Sequence, residues 1–368
     1  YEPESRRFEV FAEGGGNAFS CEIDAKGRIF SGHNGGDTRG FHYVQGGYLR
    51  KGFDKHGDLS NPYAFGYFPA MAHEKVKRFT HNFIIYEGGS LPGRYYGKLV
   101  AIDPMNQYLP LAEITRRGAT FATRDIDALI RTEDKFFRPV DIKHGPDGAI
   151  YVADWRDFQI NHYRNHEGQI TKDQGRIYRV RGRETKPGVP AFDLRRQSSA
   201  ELVELLRHEN RWWRETARQV LMERRDPGVW PKLRAELARN QAGQFALEAL
   251  WALNLSGGFD ETLARQLFKH PDPHVRLWSV RLVADANRVE PATARALVEL
   301  AMTEPDVEVR SQLAASAKRL PVADTLPLVR ALLAHDEDVS DPYLPLQLWW
   351  ALENKVADER TRRRGAAA

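Results

Sequence analysis

The sequence holds one cysteine, Cys21, in 368 residues. No internal disulfide can form, and no Cys-x-x-Cys-His haem attachment site exists within these residues. Cys21 reads as a buried strand residue. No apolar run approaches the ~20 residues needed to span a bilayer. No signal peptide is visible, and the chain opens on Tyr1, as a processed or truncated product would. Charge of one sign is also scarce: 54 Lys and Arg stand against 50 Asp and Glu, a formal net charge of +4. Acidic side chains interleave with the arginines, so a nucleic-acid surface is not expected. No His-Glu-x-x-His pair offers a helical zinc site. Gly14-Gly15-Gly16 has no following Gly-Lys-Ser/Thr or helix, so it is not a phosphate loop.

The most informative stretch that is present runs from Phe137 to Trp155. It reads as strand, tight turn, strand. Pro146-Asp147-Gly148 supplies the turn, because Pro fixes φ, Asp bonds to its own backbone and Gly accepts positive φ. Ala149 to Ala153 alternates like a half-buried strand and delivers Asp154 and Trp155 to its end. Cys21 to Gly32 repeats the pattern with an Asp-x-x-Gly turn. Gly97 to Asp103 and Gly175 to Val180 add further strands. Such units at spacings of tens of residues predict propeller blades over residues 1–185. At ~40–50 residues per blade this stretch holds about three or four, too few to close a ring, so N-terminal blades are expected to be missing.

Residues 186–197 read as a linker, after which the apolar period changes from about 2 to about 3.6. Residues 198–355 then predict about five helical repeats. Asp272-Pro273-His274-Val275-Arg276 and Asp306-Val307-Glu308-Val309-Arg310 share one phrase, and their arginines lie 34 residues apart. This is a HEAT-repeat habit, in which Asp caps the helix, Val enters the core and Arg forms a ladder with neighbouring units. Seven of the eight tryptophans fall in this half at near-helical spacing and read as core. Residues 356–368 read as a basic, disordered tail. The expected fold class is thus multidomain: an all-β partial six-bladed propeller, followed by an all-α HEAT-repeat solenoid.

Both halves together resemble a known family. The carriers are Phe8 to Gly14, Asn61-Pro62-Tyr63, Tyr86-Glu87-Gly88-Gly89 with Leu91-Pro92, Phe136 to Asp141 through Asp154-Trp155, Gly175 to Val180, and Asp341 to Glu353. They resemble the membrane-bound dehydrogenases typical of planctomycetes and verrucomicrobia, also called PVC-type haem-binding proteins. Members join a propeller like that of quinoprotein glucose and sorbosone dehydrogenases to HEAT repeats, often with a cytochrome c module. The resemblance implies an exported, periplasmic or envelope-associated dehydrogenase that oxidises a sugar or polyol-like alcohol. It implies pyrroloquinoline quinone and calcium as cofactors, and a cytochrome c module or protein partner docking on the repeats. The His base of the quinoprotein relatives has no counterpart that the sequence identifies.

Within that frame Arg138 is the candidate cation for the quinone carboxylates, since a guanidinium holds a carboxylate through two bonds. The structural alternative pairs it with Asp141 or Asp154. Asp141 and Asp154 are candidate catalytic residues at a propeller mouth, and hard oxygen ligands of this type suit calcium. Trp155 is placed to stack on a sugar or quinone ring. Eight of twelve histidines precede residue 185. Of these, His33 leaves a strand end in a Gly-rich loop and His162 follows the Asp-Trp strand end, so both are candidate cofactor contacts. The competing function is a non-catalytic carbohydrate- or protein-binding propeller carried by a HEAT interaction scaffold.

Overall fold

The computed structural model describes all residues except 1–5, 7, 17–18, 36, 52–60, 62–64, 77–79, 159–172, 185–188, 190, 240 and 366–368. Twelve strands precede all the α-helices among the described residues. They are β1 Ala12–Gly15, β2 Glu22–Ile23, β3 Ile29–Ser31, β4 Phe41–Tyr43, β5 Gly47–Lys51, β6 Asn82–Ile85, β7 Leu99–Ile102, β8 Tyr108–Arg117, β9 Thr120–Arg131, β10 Pro139–His144, β11 Ile150–Asp154 and β12 Arg176–Val180. Ten helices follow: α1 Ser199–Leu205, α2 Arg211–Arg224, α3 Trp230–Ala238, α4 Gln244–Leu255, α5 Glu261–Leu267, α6 Pro273–Ala284, α7 Pro291–Thr303, α8 Val307–Arg319, α9 Val322–Leu332 and α10 Leu344–Gly365. The last helix therefore reaches Gly365, inside the stretch whose composition suggested a tail without structure.

The partial propeller of six-bladed type expected from the sequence is not the fold. The strands form four small sheets: a parallel pair β1-β5, and the antiparallel sheets β2-β3-β4, β6-β7-β8-β9 and β10-β11-β12. No ring closes among the described residues, and the molecule as a whole is mixed β and α. The reason is that Asp-x-x-Gly turns and period-2 runs specify hairpins, which are local, and carry no information on how the sheets are arranged around one another. The hairpins themselves form where those turns predicted. Asp24 accepts the backbone N–H groups of Lys26 and Arg28 at 2.9 Å each, and Asp147 accepts that of Ala149 at 3.1 Å.

Strands β6 and β7 of the sheet β6-β9 are buried on both faces. Ile84, Val100 and Ile102 pack with Ile142, Ile150 and Val152 of the β10-β12 sheet. Their alternate neighbours Phe83, Ile85, Leu99 and Ala101 pack with Phe30 of β3. A period-2 strand thus supplies a different core to each side.

Each odd-numbered helix packs on the next, α1 on α2 through α9 on α10, and the even-numbered helices stack in one layer. A recurring device ties this layer. Asn210, Asp272 and Asp306 cap α2, α6 and α8 by accepting the N–H two residues on. Four residues after each cap an arginine turns back to a carbonyl six residues earlier: Arg214 to His208, Arg276 to His270 and Arg310 to Glu304, at 2.7–2.8 Å. The same guanidinium then reaches the next unit, as Arg214 to Glu248, Arg276 to Glu304 and Arg310 to Asp338. Each arginine closes its own turn and the joint to its neighbour.

The hairpin tips dock on that even layer. Trp278 Nε1 donates to Lys26 O at 2.8 Å, and Gln244 Nε2 donates to Ala25 O at 2.6 Å. Asn210 Nδ2 and Trp213 Nε1 donate to Gly145 O and Pro146 O. Asp341 Oδ2 accepts Ala119 N at the β8-β9 tip, and Lys318 Nζ donates to Gly46 O before β5. An apolar plug crosses the same seam. Phe68 stacks on Tyr343 at 3.7 Å, Trp350 packs on Tyr48 and Phe68, and all four side chains are buried.

Gly27 shows how tight this contact is. Its φ is +75°, and a Cβ there would lie 2.3 Å from Trp278 Cζ2. Gly97 has a similar φ of +71° with nothing within 4 Å. Gly97→Ala should therefore cost only the backbone term, about 1 kcal/mol. Gly27→Ala should cost that plus an overpacking term of about 1–3 kcal/mol. Urea unfolding of the two variants, compared at equal m-value, checks the difference.

Candidate functional site

With their turns against the helices, the hairpins turn their other ends away from them. That free end carries His33, Thr80 to Asn82, Arg138, Asp141 and Asp154, from three different sheets. Three of the residues singled out from sequence lie together at one hairpin. Pro139 pairs with Asp154 across β10-β11, and Trp155 N donates to Arg138 O at 3.0 Å.

Their side chains are engaged in holding the backbone. Asp154 is buried and accepts Arg138 N at 2.7 Å and Arg156 N at 2.9 Å. It therefore meets Arg138 through the main chain and braces the turn out of β11. The Arg138 guanidinium is buried and donates to the carbonyls of Pro104, Phe137 and Phe158 at 3.1, 3.4 and 2.8 Å. Burial pushes its pKa down, against the opposing pull of Asp157, Asp154 and Asp134. Trp155 is half-exposed, at 45%. His162 lies outside the described residues.

A quinone clamp needs a guanidinium whose paired N–H groups face a carboxylate. Both terminal nitrogens of Arg138 donate to carbonyls and its Nε is buried, so Arg138 does not fit that duty. Among the described residues no three His, Cys, Asp or Glu side chains converge as a metal site. No step is assigned to quinone or calcium.

Asp141 stands apart. Its side chain is half-exposed, its Oδ1 accepts Asn82 Nδ2 at 2.8 Å, and Lys143 Nζ lies 3.5 Å away. Asn82 Oδ1 in turn accepts the Ser20 hydroxyl, so Ser20, Asn82 and Asp141 form one hydrogen-bonded chain across sheets. Beside it the exposed ring of Phe19 stacks on His81 at 4.2 Å, with 21° between the planes. Burial lowers the His81 pKa, against the pull of Asp141, so the ring is neutral at pH 7. His33 is neutral for the same reason, with Asp37 opposing. It meets the edge of Phe41 at 5.1 Å, and its carbonyl accepts Thr80 N. Thr80 also binds the fully buried Arg39, which pairs with Asp125. The run Thr80-His81-Asn82 therefore joins the His33 loop to Asp141.

Sequence reasoning selected Asp141 and His33 but missed Phe19, Ser20, Asn82 and Arg39. The hydrogen-bond partners of Ser20, Asn82 and Arg39 lie 41 to 86 residues away, and no local pattern marks them. Cys21, expected inside a strand, is exposed. It sits just before β2, where the alternation places it outward.

A cluster of strongly perturbed groups lies at the other end of the strands, in the seam. Arg211 of α2 pairs with Glu22 at 2.8 Å, Glu215 at 3.1 Å and Glu87 at 3.6 Å. Three carboxylates share one cation, and desolvation raises the Glu87 pKa to about 7. His144, whose Nε2 accepts Glu87 N, is pushed down to about 3, by burial first and by Arg211 second. A cavity of about 510 Å³ opens beside Glu87, lined also by Tyr96, His208 and Phe245.

Comparison with known proteins follows this geometry. Residues 1–184 match the family described as Domain of unknown function (DUF7133). The chain belongs to this family. No curated protein matches it. Among solved structures it is similar to a candidate oxidoreductase (glucose dehydrogenase) from Thermus thermophilus. The identity is 18%, the TM-score 0.32, and the likeness covers 47% of this chain. The chain spans less than half of that structure, 46% of its length.

The raised Glu87 pKa carries a pH prediction. The folded state holds the Glu87 proton up to about pH 7, the unfolded chain only to its ordinary value of 4.5. Stability from this group is full below pH 4.5 and is lost as pH rises to 7, by about 3 kcal/mol at most. His144 works oppositely, since its depressed pKa costs stability as pH falls below 6.5. The difference between wild type and Glu87→Gln isolates the carboxyl. It should shift in favour of Glu87→Gln as pH rises from 4.5 to 7 in urea titrations.

Proposed function

We propose that this protein binds a sugar or related polyol at the strand ends facing away from the helices, and that the helical array holds that face rigid. One observation carries the reading: the exposed Phe19–His81 stack lies beside the Ser20–Asn82–Asp141 chain. A sugar has an apolar C–H face and a rim of hydroxyls. A stacked ring suits the first, and a carboxylate, an amide and a hydroxyl suit the second, because each hydroxyl both donates and accepts. Asp141 keeps half its surface open to receive such a ligand.

Oxidation of the bound alcohol is the second reading. The neutral imidazoles His33 and His81 support it, since an uncharged ring can accept a hydroxyl proton. In that reading Asp141 orients the alcohol, and the oxidant is supplied by a redox group bound elsewhere than at Arg138.

Calorimetric titration with glucose and with sorbitol tests the proposal. Asp141→Ala and Phe19→Ala should each weaken binding about tenfold, the loss of one charged hydrogen bond or one stacking contact. Both side chains are open to solvent, so both variants should fold. Equal affinity in wild type and both variants, or no binding of either polyol, contradicts it. Dye reduction that depends on the bound polyol distinguishes the oxidising reading from binding alone.

A further inference from the structure

A second cavity, of about 290 Å³, lies in the seam on the other side of the Lys26–Gly27 tip. Its wall is mostly apolar: Ile23, Ile29, Trp251, Leu255, Trp278 and Leu282. Trp251 and Trp278 meet edge to face at 5.1 Å and form an aromatic corner. The polar groups on the wall are mostly spent. Asp24 braces its own turn. Glu248 is shared by Arg214 and Arg218, and Glu215 pairs with Arg211.

Among the charged groups Arg281 is the exception. Its guanidinium carbon sits 4.4 Å from the Trp278 ring centre and 5.0 Å from that of Phe11. No carboxylate lies within ion-pair distance of it among the described residues, and Asp285 acts on it only at longer range. Aromatic rings that cover the faces of a guanidinium leave its in-plane N–H groups for an acceptor. A mostly apolar cavity of this size, with one convergent charged group, has the character of a small-ligand pocket.

We propose that this cavity is a binding site for a small planar aromatic carboxylate. The ring would lie in the Trp251–Trp278 corner, and the carboxylate would take the N–H fork of Arg281. One free fork matches one carboxylate. The paired carboxylates Glu215 and Glu248 on the same wall disfavour a multiply charged anion such as a phosphate ester. The site is separate from the polyol face and does not depend on it.

Benzoate is the probe, with benzyl alcohol as its uncharged counterpart and inorganic phosphate as an anion without a ring. Titration by calorimetry is paired with the indole N–H signals in NMR. Benzoate should bind saturably and shift the signals of Trp251 and Trp278 among the eight tryptophans. Arg281→Gln should weaken it about ten- to a hundredfold, the loss of a charge-assisted bond, with Arg281→Lys in between. Benzyl alcohol should bind at least about tenfold more weakly than benzoate. Leu255→Trp, which fills the cavity and leaves Arg281 in place, should abolish binding in a folded protein. The proposal is overturned by any of these results: no saturable binding, unchanged affinity in Arg281→Gln or Leu255→Trp, equal binding of benzyl alcohol, or full displacement by phosphate at matched concentration.

Discussion

The contact between the hairpin tips and the even-numbered helices is the constraint on which the rest depends. Turns are normally solvated because their backbone groups need partners. Here they are covered, and helix side chains supply the partners: Trp278 for Lys26 O, Gln244 for Ala25 O, Asn210 for Gly145 O and Asp341 for Ala119 N. Ion pairs frame the same contact. The Arg28 fork holds Glu308 at 2.8 and 2.9 Å, and Arg211 gathers Glu22 and Glu87. Buried pairs of this kind contribute little net stability, since desolvation offsets their attraction, yet breaking one costs about 3–5 kcal/mol. The net stabilisation comes from the apolar plug. Each of Tyr343, Trp350 and Phe68 is almost wholly buried, and such a side chain contributes about 1.5–3 kcal/mol. The plug holds the halves together, and the polar tips fix their register.

That arrangement decides which surfaces are available. The turn ends are consumed, so the free strand ends are where the sheets offer polar side chains from separate segments. Stacking β6-β9 between its neighbours brings Asn82 to Asp141 across two sheets and sets Thr80, just before β6, on Arg39 of the β3-β4 connection. The seam itself retains pockets where the flat helix layer meets the curved tips. They lie against Glu87 on one side of the Gly27 tip and Arg281 on the other.

Much of the local structure was legible. The Asp-x-x-Gly turns, the change of period near residue 190 and the Asp-x-x-Val-Arg phrase each have a mechanism within a few residues. Asp24, Asp147, Asp272 and Asp306 make the turn and cap bonds those patterns imply. The arrangement of the sheets was not legible, because nothing local in a hairpin specifies how sheets stack or what their turns dock on. The site was half legible. Arg138 and Asp154 were found as a pair by register, but not that Asp154 would bind the Arg138 backbone and leave the guanidinium to carbonyls. Asp141 was found, while its partner Asn82 lies 59 residues earlier on another sheet. The ladder arginines were readable for the opposite reason, since each repeat restates the same short phrase.

The central claim is that strands and helices form one cooperative unit through the seam. Hydrogen exchange by mass spectrometry, followed as a function of low denaturant, tests it most directly in wild type and Tyr343→Ala. Tyr343 immediately precedes α10, yet it stacks on Phe68 and donates to His42 O at 2.8 Å. Its removal should lower the opening free energy of β6–β7 peptides and of α6–α8 peptides by the same amount, about 3–5 kcal/mol. Strand peptides that keep wild-type protection while helix peptides alone lose theirs would contradict the account.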